Sequence, residues 1–492
     1  MKSCLFLAIA SLFVQPLIGE PEAVTVSVDL SRNQGAVKPL HGVNDAPFRL
    51  NGKQGEMAAA GIPYVRTHDI KPSGVGRLVD IPDVFPDFEA DENDPASYDF
   101  AFTDAWLKPL VEAGCKPFYR LGVTIENKWR IKAYHIHPPK DPAKWARICE
   151  HVVRHYNEGW ANGYRWNVEY WEIWNEPENP AMWSGTKEEF FELYRVVANH
   201  LKARFPDIRI GGYASCGFYA VDDKSEKMKK NLFYQGFVGW FEDFCRYVQD
   251  PKTKSPLDFF SWHLYVYQGT SIERIRTHAR YVRQTLDAAG LGKTESIFNE
   301  WNVFPKIPKV NYWDAVKTHQ AAALVAASFC LMQEAPVDKA MYYRARPDKP
   351  RCGLFYYPSE KTTPCYEAFR AWNELAKLGQ SVYSSVEGLE AKSVYMSAAT
   401  DGKNCAILLA NIGEKTRIVR VRGLQDGALP LSRVDADHPQ LKVSGRWETG
   451  ETLTLPAHGI VLLGSRAEGG GSNGRQSSQE TITAEKVNGL AN

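Results

Sequence analysis

Neither sign of charge is in excess. Lysine and arginine total 59 against 58 aspartates and glutamates, a formal net charge of +1. A basic surface for nucleic acid or for an anionic membrane therefore has no compositional support. No two cysteines stand at CxxC spacing, so the common zinc frameworks are missing. No His/Asp cluster has metal-ligand spacing, and neither a phosphate-binding glycine loop nor a Ser-His-Asp arrangement is present. The chemistry expected of the chain thus needs no cofactor and no metal. Long apolar runs are lacking beyond the N-terminus, which leaves no second candidate for a membrane span.

The N-terminus is different. Lys2 precedes a mostly apolar stretch over residues 5–17, followed by small and turn-forming residues through 19–23. Residues 1–22 read as a secretory signal peptide and predict a secreted or periplasmic protein with no membrane span once the leader is removed. An N-terminal anchor is the alternative, against which the run is short. Eight cysteines remain beyond the leader, spread thinly through predicted strands and helices, so a large core need not depend on them. Cys352 and Cys365 are the pair placed to bridge a local loop. Oligomeric state is not legible.

With 492 residues the chain exceeds one ordinary domain and suits a barrel plus a smaller module. Residues 23–38 carry an alternating strand (Val24, Val26, Val28) expected to join the C-terminal β region. From 39 to 379, strands and helices alternate. Strands are expected at 41–44, 62–68, 116–123, 170–174, 208–213, 257–267, 296–301 and 339–344, with helices between them at 56–60, 102–113, 142–159, 186 onward, 232–248, 272–289, 313–333 and 367–378. Eight such repeats are the pattern of a (β/α)8 barrel. A Pro- and Asp-rich loop occupies 73–97. Beyond Gly379 the texture changes to short alternating strands without long helices, which predicts an antiparallel β-sandwich over 380–466, completed by the N-terminal strand. Residues 467–492 are rich in Gly, Ser, Asn and Gln and read as a flexible tail.

Two stretches stand out. Trp171-Glu172-Ile173-Trp174-Asn175-Glu176-Pro177 is a strand of bulky residues stopped by proline just after an amide and a carboxyl group. Ser296-Ile297-Phe298-Asn299-Glu300-Trp301-Asn302 repeats the form downstream. Side chains at the carboxyl ends of barrel strands enter the active-site mouth. Two Asn-Glu pairs on the fourth and seventh barrel strands would face each other there. Paired carboxyl groups across a sugar bond, one protonated and one ionised, are what a retaining glycosidase requires.

Trp174-Asn175-Glu176-Pro177 with Phe298-Asn299-Glu300-Trp301 resembles the glycoside hydrolases of clan A, the 4/7 superfamily. Tyr64-Val65-Arg66-Thr67-His68 and Trp183-Ser184-Gly185-Thr186-Lys187-Glu188-Glu189-Phe190 extend the resemblance to family 39 within it, which includes β-xylosidases and α-L-iduronidases. It covers roughly residues 23–465. The resemblance implies a carbohydrate substrate, Glu176 as acid/base, Glu300 as nucleophile, and Asn175 as hydrogen-bond partner of the sugar 2-hydroxyl. It places His68 on the sugar of the first subsite and His263 and Tyr265 beside the nucleophile, with the tyrosine bonded to Glu300. Arg66 would support the carboxylates from below or stand as a paired structural charge. Both histidines also fit the role of hydrogen-bonded core residues. Trp301, with Trp129 and Trp183, is a candidate stacking platform or a core residue.

The chain departs from the xylosidase pattern where His68 is followed by Asp69-Ile70-Lys71-Pro72, and in the basic loop 344–351, which begins at Arg344. Arginines at a barrel mouth suit a carboxylate or sulfate; a solvated surface loop is the other reading. The expectation is therefore a retaining, β-xylosidase-like or related β-glycosidase acting on a poly- or oligosaccharide. Alternatives are a glycosidase for acidic sugars, transglycosylation, or a glycan-binding barrel without catalysis.

Overall fold

The structure, a computed structural model, describes residues 23–47, 53–68, 79–123, 136–347, 353–388 and 391–464. Residues 1–22 and 465–492, where the leader and the tail are expected, lie outside the described residues, as do Trp129 and Cys352, and with Cys352 the expected bridge to Cys365. No helix among those described is long and apolar enough to cross a membrane.

The first strand, β1 (Val24–Ala36), precedes the barrel. Eight strands then close in chain order: β2 (Gly42–Asn44), β3 (Tyr64–Arg66), β4 (Lys116–Leu121), β5 (Tyr170–Ile173), β6 (Arg209–Ser215), β7 (Phe259–Val266), β8 (Glu295–Val303) and β9 (Lys339–Tyr342). Every neighbouring pair is parallel. The helices are α1 (Gln54–Ala59), α2 (Ile81–Val84), α3 (Ala101–Glu112), α4 (Pro142–Asn157), α5 (Lys187–Arg204), α6 (Glu226–Lys229), α7 (Leu232–Gln249), α8 (Arg274–Ala288), α9 (Tyr312–Ala315), α10 (His319–Glu334) and α11 (Pro364–Leu378). The protein is a (β/α)8 barrel with a C-terminal β-sandwich.

The barrel interior is layered by the two-residue period of its strands. Tyr64, Phe118, Tyr170, Phe259, Ile297 and Met341 form an apolar plug near the amino ends. Two residues further along the same strands stand Arg66, Arg120, Glu172, Ser261 and Asn299, all buried. That second layer is polar, and the carboxyl ends of the strands lie above it. The sequence therefore builds its own floor: aromatic below, ion-paired above.

The nine remaining strands form one curled sheet in the order β15-β14-β17-β12-β11-β10-β1-β13-β16, where β10 is Gln380–Glu387, β11 Val394–Thr400, β12 Cys405–Asn411, β13 Arg417–Arg422, β14 Ala428–Val434, β15 Lys442–Glu448, β16 Thr452–Leu455 and β17 Gly459–Gly464. Its inner face packs Val24, Val26 and Val28 with Ile407, Leu409, Val419, Leu453, Val461 and Leu463. The alternate residues Ala406, Leu408, Ala410, Ile460 and Leu462 join the main core beneath the barrel helices. β12 is buried on both faces, which is why it reads as a continuous apolar run. β1 sits mid-sheet, antiparallel to β10 and parallel to β13, so the sandwich is not purely antiparallel.

Three expectations are corrected. The single helix at 313–333 is two, α9 and α10, because Thr318 breaks the run: its hydroxyl donates to Ala315 O at 2.7 Å and accepts from Ala321 N–H at 3.4 Å as the cap of α10. The 73–97 loop carries α2 and a 3-10 turn at Pro95–Ser97, while residues 69–78 lie outside the described residues. Strands β10, β14 and β15 were not expected.

Candidate active site

Glu176 lies just beyond β5, in a turn that bends the chain sharply. Trp174 (φ 73°) and Glu176 (φ 48°) both have left-handed backbone, unusual for side chains of this size. The turn is held by Glu176 N–H, which donates to the carbonyls of Tyr213 (3.2 Å) and Ala214 (3.0 Å) near the end of β6. Gly122, after β4, allows the approach: a Cβ there would lie 2.9 Å from Trp174 Cα.

Glu300 is aimed by a bulge. Along β7 and β8, Trp262 pairs with Phe298 but His263 pairs with Glu300, so β8 carries one extra residue at Asn299. The bulge sends both Asn299 and Glu300 into the barrel and turns Trp301 outward. Trp301 is 0% exposed, edge-on to Phe329 of α10 at 5.7 Å. Trp183 is 2% exposed and packs against Trp174 and Phe190. Of the two readings, platform or core, the structure places both in the core, and Trp129 lies outside the described residues.

The two carboxylates meet across the mouth. Glu176, His263 and Glu300 each present an atom within 4.8 Å of the others. His263 stands between the acids, with Nδ1 2.8 Å from Glu176 Oε1 and Nε2 3.7 Å from Glu300 Oε2. Asn179 Nδ2 donates to the other Glu176 oxygen at 3.4 Å. Tyr265 OH donates to Glu300 Oε1 at 2.6 Å, and Arg66 Nη1 to Glu300 Oε2 at 3.2 Å. His68 Nε2 is 3.5 Å from the same oxygen. Three such donor residues would also suit a metal ion, but Arg66 already supplies positive charge beside Glu300.

Arg66 is the hub of the layer below. Its Nε donates to Glu172 at 2.7 Å, Nη1 also to Asn44 at 2.9 Å, and Nη2 to Asn175 Oδ1 at 2.6 Å. Ser261 and Asn299 donate to the second oxygen of Glu172 at 2.6 and 2.5 Å. The guanidinium thus fixes the Asn175 amide with its oxygen down and its N–H2 group as the remaining donor. Burial would raise both the Glu176 and the Glu300 carboxyls. For Glu300 it prevails, helped by the charge of Glu176 and opposed by His263, Arg66 and Tyr265, so its pKa stands above the ordinary glutamate value. For Glu176 the His263 hydrogen bond and charge overcome burial and carry it below.

Seven of the nine expected site residues come together here: Glu176, Glu300, Asn175, His68, His263, Tyr265 and Arg66. Arg344 is also at the rim, beyond β9. It is buried rather than solvated, donates to Tyr343 OH at 2.9 Å and lies over that ring. Arg346 pairs with Asp45 at 3.2 Å, so the start of the basic loop is not a solvated surface; residues 348–351 lie outside the described residues. Sequence reasoning missed Asn44, Glu172 and Asn299. Glu172 had a signal: an acid amid bulky apolar residues of a buried strand must meet a buried partner.

The model of the glycosyl hydrolases family 39 matches residues 46–314. A β-xylosidase of Geobacillus stearothermophilus is 26% identical over 217 residues, covering 42% of this chain and 36% of that protein. A β-xylosidase of Caldicellulosiruptor saccharolyticus is 30% identical over 178 residues, covering 34% of this chain and 31% of that protein. The matched stretch thus spans about a third of the length of these curated relatives. In three dimensions the chain is similar to a glucosidase from Croceicoccus marinus, with TM-score 0.71, 22% identity, and coverage of 91% of this chain and all of that one, a likeness of fold. The family model runs through both Asn-Glu motifs and the strands that bring them face to face, and the chain belongs to the glycosyl hydrolases family 39.

Proposed function

We propose that the protein is a retaining glycoside hydrolase of β-xylosidase type. The observation that carries this reading is the close approach of the Glu176 and Glu300 carboxylates, with oxygens within 4.8 Å. Retaining enzymes hold the two groups about 5–5.5 Å apart, whereas inverting ones leave room for a water at about 6.5–9.5 Å. The names of the two matched relatives support the choice of sugar.

In this reading, Glu300 attacks the anomeric carbon while Glu176 gives its proton to the glycosidic oxygen. The C–O bond to the leaving group breaks and a glycosyl ester on Glu300 forms. Glu176, now a carboxylate, takes a proton from water, which attacks the same carbon and releases Glu300. Asn175, braced by Arg66, donates to the sugar 2-hydroxyl. His263 serves both resting arrangements through the choice of ring nitrogen that carries a proton. With its proton on Nδ1 it donates to ionised Glu176. With its proton on Nε2 it accepts from protonated Glu176 and turns N–H toward Glu300. The second arrangement is the reactive one, and Tyr265 and Arg66 favour it by stabilising charge on Glu300.

The test is hydrolysis of aryl glycosides, with xylosides, glucosides and uronides in one panel. Glu300→Ala is expected to fall to background. Glu176→Ala is expected to lose about 10²–10⁴-fold on a poor leaving group, and azide should restore its turnover when the leaving group is good. An azide product with the same anomeric configuration as the substrate marks the covalent intermediate. A retained-configuration azide product from Glu300→Ala instead of from Glu176→Ala would reverse the two roles, whereas an inverted one from Glu300→Ala is what loss of the nucleophile gives.

A further inference from the structure

Trp183 and Trp301 are core, yet the mouth is not without aromatic surface. Tyr267, one residue beyond β7, is 51% exposed, and Tyr312, the first residue of α9, is 38% exposed. Both rest on Phe304, which is buried. Tyr267 stacks on it at 5.6 Å and 12° between planes, and Tyr312 meets it edge-on at 5.3 Å. Trp313 backs Tyr312 at 4.1 Å. The chain of rings continues inward: Tyr265 lies 6.2 Å from both Tyr267 and Phe304, and its hydroxyl holds Glu300. A continuous aromatic ridge therefore runs from the Glu300 carboxylate to solvent along the β7 and β8 ends.

From this continuity we propose that Tyr267 and Tyr312 are a second binding surface for substrate, stacking on pyranose units of an oligosaccharide beyond the one at Glu300. The proposal rests on the glycosidase reading above and deepens it. A pyranose presents a face of C–H groups and a rim of hydroxyls, which matches a tyrosine ring and its hydroxyl. The ridge is pre-ordered. Phe304 N–H donates to Val266 O at 3.0 Å, and Gln268 Nε2 donates to Pro305 O at 2.9 Å, tying the two loops together. Rings already fixed in place lose little freedom on binding. A lone aromatic on an outer helix, such as the exposed Phe102 on α3, has no such continuity with the carboxylates.

The experiment compares one aryl monoxyloside with β-1,4-linked xylo-oligosaccharides of two to five units, in the wild type and in Tyr267→Ala, Tyr312→Ala and the two Phe variants. Each alanine variant is expected to lose roughly 3–10-fold in kcat/KM on the longer oligosaccharides, mostly through KM. The aryl monoxyloside should be cleaved as by wild type, and the Phe variants should keep most of the oligosaccharide activity. Equal loss on both substrate kinds, or no loss on the oligosaccharides, overturns the proposal. If wild type cleaves neither, the catalytic reading fails, and affinity electrophoresis in xylan and in β-glucan gels decides the surface by itself. Retardation of wild type that both alanine variants lack supports it. Equal migration with and without polysaccharide rejects it.

Discussion

Two residues beyond Glu176, the carboxyl of Glu178 is enclosed behind the site. Its Oε1 accepts from Ser215 Oγ and from Cys216 N–H, both at 2.7 Å, and its buried Oε2 has no hydrogen-bond partner among the described residues. Burial, with the neighbouring charge of Glu176, pushes its pKa up from 4.5 to about 8 against those two hydrogen bonds. The folded state then binds more protons than the unfolded state between those values, so stability falls as pH rises through about 8. Glu178→Gln keeps the shape and removes the titration. Its melting temperature is expected to exceed that of wild type above pH 8 and to match it below 4.5, read by a thermal melt series across that range. Parallel curves for the two proteins would place the pH dependence elsewhere. At this scale the sequence was legible for residues whose neighbours announce them. Asn-Glu-Pro and Asn-Glu-Trp mark strand ends, and they located Glu176 and Glu300. It was not legible for Trp301, because strict alternation along β8 puts residue 301 in phase with Asn299 on the inward side. The bulge that reverses this leaves no mark in composition, only in the register with β7.

Among the elements, α5 shows how a helix start can be read and what it holds. Thr186 Oγ1 accepts from Glu189 N–H at 3.2 Å, and Glu189 Oε2 accepts from Thr186 N–H at 2.7 Å. This reciprocal pair begins the helix directly after the loop that carries Glu176. Thr186→Ala is expected to cost about 1 kcal/mol in urea unfolding while leaving kcat on an aryl glycoside within twofold. A large fall in kcat with unchanged stability would mean that the cap positions the acid rather than the helix. Capped helices and two-sided apolar strands such as β12 were legible, since their signals are local. β14 and β15 were not: β14 is half-exposed and contains Pro430, and β15 buries Trp447 alone among exposed polar neighbours. An edge strand dressed in charge protects against aggregation and at the same time hides its period.

For the whole molecule, β1 joins what the sequence separates. It fills the gap between β10 and β13, buries Val24, Val26 and Val28 at roughly 1.5–3 kcal/mol each, and meets the same core as β12 and β17. A chain lacking Val24–Ala36 is expected to be recovered mainly as aggregate. Any soluble fraction should be cut by trypsin between 380 and 464 under conditions where the full chain resists. A soluble, trypsin-resistant deletion would show that the sheet closes without its N-terminal strand. The pairing of Thr25 with Glu387 has a further consequence for biogenesis. The two lie 387 − 25 = 362 positions apart, and ribosomes extend chains at about 5–20 residues per second. β1 therefore leaves the ribosome on the order of 20–70 s before its partner exists. Throughout that interval it is a valine-rich strand with two open edges, a natural client for a chaperone, and all eight barrel strands are synthesised before its partner β10 exists.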